Sequence, residues 1–164
     1  MSDRVLRMLA EAESRIHDAE LLGTSLRSES NSQALLKVLA LEVLLKAAQL
    51  QSSGKITRSH RYIELWSAIP QSVRTAVLLI AQDRYPGHAD LSNIEKLLCN
   101  FEYLFTSARY EYELYEEYTL AEQAALGEDW VSRGALTVEA DIQYFPMELS
   151  ALLEGLSATV RNAL

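Results

Sequence analysis

The stretch "SNSQALLKVLALEVLLKAAQLQSSG", residues 30 to 54, decides the fold of this 164-residue chain. Ser30 and Asn31 at its start are residue types that cap helix N-termini, and Gly54 at its end is typical of a helix stop. The apolar residues between them leave almost no polar face, and a helix that is hydrophobic all round is a buried one. The stretch therefore predicts a central, mostly buried helix.

Helical patterns continue on both sides of this stretch. From Asp3 to Leu26, apolar residues recur at steps of three and four, which is typical of an amphipathic helix. Similar patterns, caps and stops predict further helices over residues 62 to 69, 70 to 85, 90 to 118, 119 to 134 and 146 to 164. The sequence shows no repeat or linker. The prediction is an all-α chain, one domain of residues 1 to 164, folded as an up-and-down antiparallel bundle of about five principal helices.

One segment near residues 136 to 145 has a different pattern, because apolar and polar residues alternate from Leu136 to Tyr144. A period of two predicts a strand-like or extended segment. A lone strand needs sheet partners to be stable, so the segment is either a strap that lies over the core or an edge that pairs with a second copy. We favour the strap.

The decapeptide "RYEYELYEEY", residues 109 to 118, is predicted to be the C-terminal part of the helix that begins at Asp90. Tyr112 and Tyr115 continue the apolar stripe of that helix, which starts at Ile94. Tyrosine is enriched at protein interfaces, so this region is also a plausible dimer surface.

Charge and cysteine content limit the classes of partner and compartment. The net charge of -8, without a run of Lys and Arg, repels phosphate backbones, so RNA is not favoured. The only cysteine, Cys99, lies in the apolar stretch "KLLCNF" and is predicted to be a core residue. The N-terminus has no apolar signal region, and no stretch reaches the roughly 20 apolar residues of a membrane span. The expectation is a cytoplasmic protein with no membrane contact.

No cofactor or metal motif is present. The di-iron helical bundles need Glu-x-x-His on two helices, and none of the three histidines has a Glu three positions before it. Glu13, His17 and Glu20 share one helix face, which a surface charge cluster explains. The glycine-rich nucleotide-binding motifs are also absent. We therefore predict no cofactor and no metal.

Three pieces of the chain resemble HEPN domains: "LLKVLALEVLLKAAQLQSSGKITRSHRYIELWSAIP", "FEYLFTSARYEYE" and "YFPMELSALLEGL". The resemblance lies in a buried helix with Glu-x-x-x-Lys, a His-led helix after a turn, and a later helix that carries an Arg. It covers roughly residues 5 to 160. It implies an up-and-down helical bundle, usually a homodimer. Many family members are metal-independent ribonucleases of toxin–antitoxin, abortive-infection or CRISPR systems.

The resemblance also implies candidate site residues. The Glu-x-x-x-Lys element falls on Glu42 and Lys46, which form either an intrahelical ion pair or part of a functional cleft. The critical Arg falls on Arg109. Catalytic members carry a His after four to six further residues, but those places hold Leu114, Tyr115 and Glu116. Neither a tyrosine nor a glutamate titrates near neutrality at its ordinary pKa, so neither replaces an imidazole.

His60 matches the His that leads the family's third helix, and its position suits a helix N-terminus, where capping is the commoner role. Trp66 and Trp130 are predicted to be core or interface anchors.

Three functions remain open. The first is a noncatalytic homodimer that acts through protein contacts, in a defence or toxin–antitoxin system. The second is a divergent ribonuclease that uses Arg109 with Tyr115, or with a histidine brought from elsewhere, beside Glu42 and Lys46. The third is a target of a partner nucleotidyltransferase, an antitoxin that modifies a tyrosine near Arg109; Tyr112, Tyr115 and Tyr118 are the candidates.

Overall fold

The computed structural model of the chain describes residues 3–26, 30–106, 110–136, 139–140 and 142–163. These residues form eight helices and no strand, which confirms the all-α prediction. The helices are α1 (Asp3–Leu26), α2 (Asn31–Ser53), α3 (Tyr62–Ser67), α4 (Gln71–Arg84), α5 (Ile94–Thr106), α6 (Glu111–Leu114), α7 (Leu120–Ser132) and α8 (Pro146–Asn162).

Helix α2 is the centre of the fold, as the sequence of residues 30 to 54 predicts. The Ser30 side chain accepts a hydrogen bond from the backbone N–H of Gln33 at 3.2 Å. Gly54 ends the helix in the left-handed conformation (φ 71°), and its N–H donates to the carbonyl of Leu50. Helices α1, α3, α5 and α8 all pack against α2. Its apolar residues are consequently buried on several sides.

Helices α4 and α8 pack against each other at a close approach. Gly155 of α8 lies so near the carbonyl oxygen of Val77 of α4 that a Cβ at this position would collide with it. A glycine is therefore required for this helix contact. Pro146 occupies the first turn of α8, where its missing N–H costs no hydrogen bond, as predicted.

The prediction of one long helix from Asp90 to residue 118 is wrong. Helix α5 begins at Ile94 and ends at Thr106, and Tyr110 has non-helical backbone angles (φ −112°, ψ 73°) before the four-residue α6. Tyr112 is 73% exposed, so it does not continue the core stripe. Tyrosine is a weaker helix former than Leu or Ala, and the closely spaced glutamates repel one another, so the decapeptide has little to extend α5.

Helix α7 forms as predicted but lies on the surface. Thr119 and Glu122 make the expected capping box, in which each side chain bonds the backbone N–H of the other residue. The helix ends at Ser132, shortly before Gly134 (φ 97°). None of its thirteen residues, all of them described, is buried. Trp130, whose indole N–H donates to the carbonyl of Leu136 at 3.0 Å, is only half-buried, whereas Trp66 is in the core as expected.

The segment near residues 136 to 145 contains no strand among its described residues, and residues 137, 138 and 141 lie outside them. The N–H of Glu139 donates to the carbonyl of Leu136 at 3.0 Å, a hydrogen bond between residues three apart that an extended strand does not make. Ile142, Tyr144 and Phe145 are half-buried and pack against the core, in the position expected of a strap. Pairing of this segment with a second copy stays a prediction.

Cys99 is exposed, so its prediction as a core residue is wrong. The buried face of α5 is formed by Leu97, Leu98, Phe101 and Leu104. At 100° per residue, Cys99 lies on the opposite side of the helix from these residues. No helix in the described part of the chain is both long and apolar enough to cross a membrane.

Candidate functional site

The Glu42–Lys46 pair forms as predicted and is the start of a polar cluster. The Lys46 ammonium lies 2.6 Å from Oε1 of Glu42, one turn earlier on α2. Glu42 is only 7% exposed, because α2 is packed on several sides. A buried carboxylate needs a compensating charge, and Lys46 supplies it.

The prediction that His60 caps a helix N-terminus is wrong. The N-cap of α3 is Arg61, whose own side chain makes no capping hydrogen bond. The imidazole instead lies with Nδ1 at 2.9 Å from Oε1 of Glu42, the same oxygen that binds Lys46. An ionised carboxylate only accepts hydrogen bonds, so Nδ1 is the donor in this contact. The His60 side chain is 71% exposed, which leaves it accessible to another molecule.

Glu102 of α5 fixes the start of α3 next to this cluster. Its Oε2 accepts a hydrogen bond from the backbone N–H of Tyr62 at 2.8 Å, and its Oε1 lies 3.8 Å from Nε of Arg61. The carboxylate thereby satisfies one of the backbone donors that every helix N-terminus leaves unpaired. Since His60 directly precedes these residues, Glu102 helps to hold the imidazole-bearing loop against α2.

Tyr62 lies on the buried side of the cluster. Its hydroxyl donates to the carbonyl of Val38 at 2.7 Å, and its side chain is fully buried. Burial raises the pKa of the Tyr62 phenol, and the neighbouring carboxylates of Glu42 and Glu102 raise it further. Tyr62 is therefore a neutral hydrogen-bond donor at any physiological pH.

One oxygen of Glu42 takes all of the polar contacts. Oε1 binds both Lys46 and His60, whereas the buried Oε2 has no hydrogen-bond partner among the described residues. A buried acceptor without a partner is costly, so this oxygen has capacity for one more donor.

The other predicted site residues lie elsewhere or outside the described ranges. Tyr115 follows α6, is half-buried, and packs edge-on against Tyr118 with ring centroids 6.4 Å apart. Arg109 is outside the described residues. The structure thus brings Glu42 and Lys46 together and adds His60 to them. No spacing rule reveals the His60 contact, because eighteen residues and a loop separate it from Glu42.

The cluster can orient an imidazole, which is an arrangement used for acid–base chemistry as well as for purely structural contacts. Within the described ranges, no group of three or more His, Cys, Asp or Glu side chains is placed to hold a metal ion.

Comparison with known proteins adds no relative. No protein-family model, no curated protein and no solved structure matches the chain.

Proposed function

We propose that this chain is a HEPN-like, noncatalytic helical protein that forms a homodimer and acts through protein contacts. In this proposal α1, α2, α4, α5 and α8 are the principal helices of an up-and-down antiparallel bundle. The observation that carries the proposal is α7, a thirteen-residue helix without a buried residue.

The exposed face of α7 has the pattern of a packing surface. Leu120, Ala124, Gly127 and Val131 follow one another at steps of four, three and four, so they lie on one face of the helix. Leu120 is 86% exposed, and Val131 is also exposed. We call these four residues the α7 stripe. Full burial of a Leu or Val side chain stabilises a protein by roughly 1.5–3 kcal/mol. This stabilisation is missing while the α7 stripe is exposed to water.

An isolated helix of this length also needs outside support. Helices shorter than about 12–15 residues are marginal in water even with good helix formers. The capping box at Thr119 and the ion pairs of Arg133 with Asp129 and Glu139 give local support. Exposed ion pairs contribute little, typically about 0–1 kcal/mol each. Packing of the stripe on an apolar surface is the stronger source of stability.

A second copy of the chain is the partner we propose for this surface. A two-fold interface lets the same stripe pack on itself, so that no different partner surface is required. The exposed rings of Tyr112 and Tyr118 precede the stripe and fit the rim of such an interface, where tyrosine is enriched. The HEPN resemblance independently implies a homodimer.

Analytical ultracentrifugation of three proteins tests this proposal. The wild type is expected to sediment as a dimer, and the double variant Leu120→Glu with Val131→Glu as a monomer, because four glutamates would be buried at the two-fold contact. Leu79→Glu is the matched control, since Leu79 is an exposed leucine of α4 outside the stripe, and it is expected to remain a dimer. A wild-type monomer at micromolar concentration would exclude the homodimer.

A divergent metal-independent ribonuclease is the second candidate, and the position of His60 favours it. The His60 imidazole is oriented by the buried Glu42 carboxylate and is itself exposed. It is a histidine brought from elsewhere, of the kind that could remove a 2′-hydroxyl proton in place of the missing family histidine. Arg109 would then stabilise the negative charge on the phosphorane oxygens.

Expression in a growing cell and incubation of the purified protein with RNA test the second candidate. Growth arrest and RNA cleavage that are abolished by Arg109→Ala and by His60→Ala, but not by His88→Ala, would support it. His88 is an exposed histidine that lies outside the cluster. Absence of cleavage of both single-stranded and structured RNA would remove it.

Modification by a partner nucleotidyltransferase is the third candidate. The exposure of Tyr112 and Tyr118 is compatible with it. An intact mass that is unchanged after co-expression with a neighbouring nucleotidyltransferase would argue against it.

A further inference from the structure

A cavity of about 260 Å³ lies between α1 and α8, away from the polar cluster at Glu42. Both helices pack along α2, which contributes Lys37 to the cavity, while Arg84 and Tyr85 at the C-terminal end of α4 also line it. We call it the α1–α8 cavity. Sites for drug-sized ligands usually have volumes of about 300–1,000 Å³, so this one suits a smaller molecule.

The charges of the α1–α8 cavity are balanced but only partly paired. Arg161 forms an ion pair with Glu13, which neutralises both groups. Two further cations, Lys37 and Arg84, and two further carboxylates, Glu20 and Glu154, line the same cavity. None of these four makes an ion pair within the described part of the chain. The cavity therefore offers both signs of charge to one ligand.

The cationic side of the cavity is incompletely satisfied. Lys37 is half-buried, and its ammonium contacts the Ser150 hydroxyl at 3.4 Å, which is longer than an ordinary hydrogen bond. Ser157 is only 8% exposed, and its buried Oγ has no hydrogen-bond partner among the described residues. A half-buried ammonium and an unpartnered hydroxyl both cost free energy unless another group binds them. A carboxylate in the cavity can accept hydrogen bonds from the Lys37 ammonium and from the Ser150 hydroxyl beside it.

The anionic side centres on Tyr85. Tyr85, Glu20 and Glu154 line the cavity together. Burial raises the pKa of the Tyr85 phenol, and the carboxylates of Glu154 and Glu20 raise it further. A neutral phenol and two carboxylates without an ion pair form a set of acceptors that suits an ammonium group. Glu154 of the anionic side lies one turn after Ser150 of the cationic side on α8, so the two sides are adjacent.

We propose that the α1–α8 cavity binds a free amino acid through both its carboxylate and its ammonium group. Lys37 and Ser150 bind the carboxylate. Glu20, Glu154 and the Tyr85 hydroxyl bind the ammonium. A ligand with one charge would contact only one of the two sets of protein charges, so the site selects a zwitterion over a simple anion or cation.

A thermal-shift screen of the wild-type protein against the twenty standard L-amino acids, followed by titration calorimetry of the best binder, tests this proposal. Screening at about 10 mM detects even millimolar affinity, because ligand binding to the folded state raises the melting temperature. At least one amino acid is expected to bind in a saturable manner. Its N-acetyl derivative, which has no ammonium, and its amide, which has no carboxylate, are each expected to bind at least about tenfold more weakly.

Variants locate the ligand. Lys37→Met and Glu154→Gln are each expected to weaken binding by about tenfold or more, and Glu154 is exposed, so its variant keeps the fold. Lys55→Met is the matched control, because Lys55 is an exposed lysine beyond the other end of α2, and it is expected to leave binding unchanged. The proposal is overturned if no amino acid binds, if either derivative binds as tightly as the parent, or if Lys37→Met behaves like Lys55→Met.

Discussion

Replacement of Lys46 by Met tests whether the polar cluster is a buried, mutually dependent unit. The variant keeps an unbranched apolar stem but removes the ammonium that lies 2.6 Å from Glu42. Removing one partner of a fully buried ion pair costs roughly 3–5 kcal/mol, because the other charge stays buried without compensation.

The magnitude expected here is smaller than that limit. The Lys46 side chain is 19% exposed, and Glu42 retains its contact with the His60 imidazole at 2.9 Å. Water and the imidazole therefore offset part of the loss, and we expect the free energy of unfolding to fall by about 2 kcal/mol. For a chain of this size that corresponds to a melting temperature lower by about 4–8 °C.

Urea unfolding followed by circular dichroism measures the change, and Arg15→Met is the matched control. Arg15 pairs with Glu11 of α1 at the same i,i+4 spacing and the same 2.6 Å distance, but the Glu11 side chain is 53% exposed. The control is expected to cost no more than about 0.5 kcal/mol. Equal effects of the two variants would refute the claim that burial makes the Glu42 pair important, and restoration of stability by adding Glu42→Gln to Lys46→Met would support it.

Three further predictions concern packing and pH. Tyr62→Phe removes the buried hydrogen bond to Val38 and is expected to lower the unfolding free energy by about 1 kcal/mol in urea titrations. The raised pKa of Tyr62 means that above pH of about 10 the unfolded chain releases a proton that the folded chain keeps, so stability falls as pH rises, and less steeply in Tyr62→Phe. Gly155→Ala places a methyl group against the Val77 carbonyl and should lower the melting temperature through a loss of roughly 1–3 kcal/mol; an unchanged melting temperature would contradict that contact.

Much of the helical framework could be predicted because its signals are local. The caps of α2 at Ser30 and Gly54, the capping box at Thr119 and the start of α8 at Pro146 each depend on a few adjacent residues. The periodicity of the apolar residues in α1 then indicated which face of that helix is buried. In α2 the near absence of a polar face indicated burial on several sides.

The wrong predictions concern sequence patterns that are compatible with more than one structure. The tyrosines after α5 have helical spacing, but a tyrosine can face solvent as well as a core, and Tyr112 is exposed. Cys99 sits among apolar neighbours in sequence, yet the 100° turn per residue carries it to the outer face of α5. Apolar neighbours in the sequence do not show whether a residue lies on the buried face of a helix, unless it is known which residues form that face.

The candidate site could be predicted only in part. Glu42 and Lys46 are one turn apart on a single helix, so their pairing follows from sequence. The third member, His60, reaches Glu42 through the loop that follows α2, and the path of such a loop depends on tertiary packing, including the contact of Glu102 with Tyr62. The residues next to His60 in the sequence do not indicate these distant contacts.

The mass of the wild-type protein in solution, measured by light scattering during size exclusion, tests the central claim most directly. The chain has a mass of 18.4 kDa. A homodimer that buries the α7 stripe predicts twice that mass at micromolar concentration, and the single-chain mass after Leu120→Glu and Val131→Glu are introduced together. A wild-type protein that elutes with the single-chain mass across the concentration range would contradict the account.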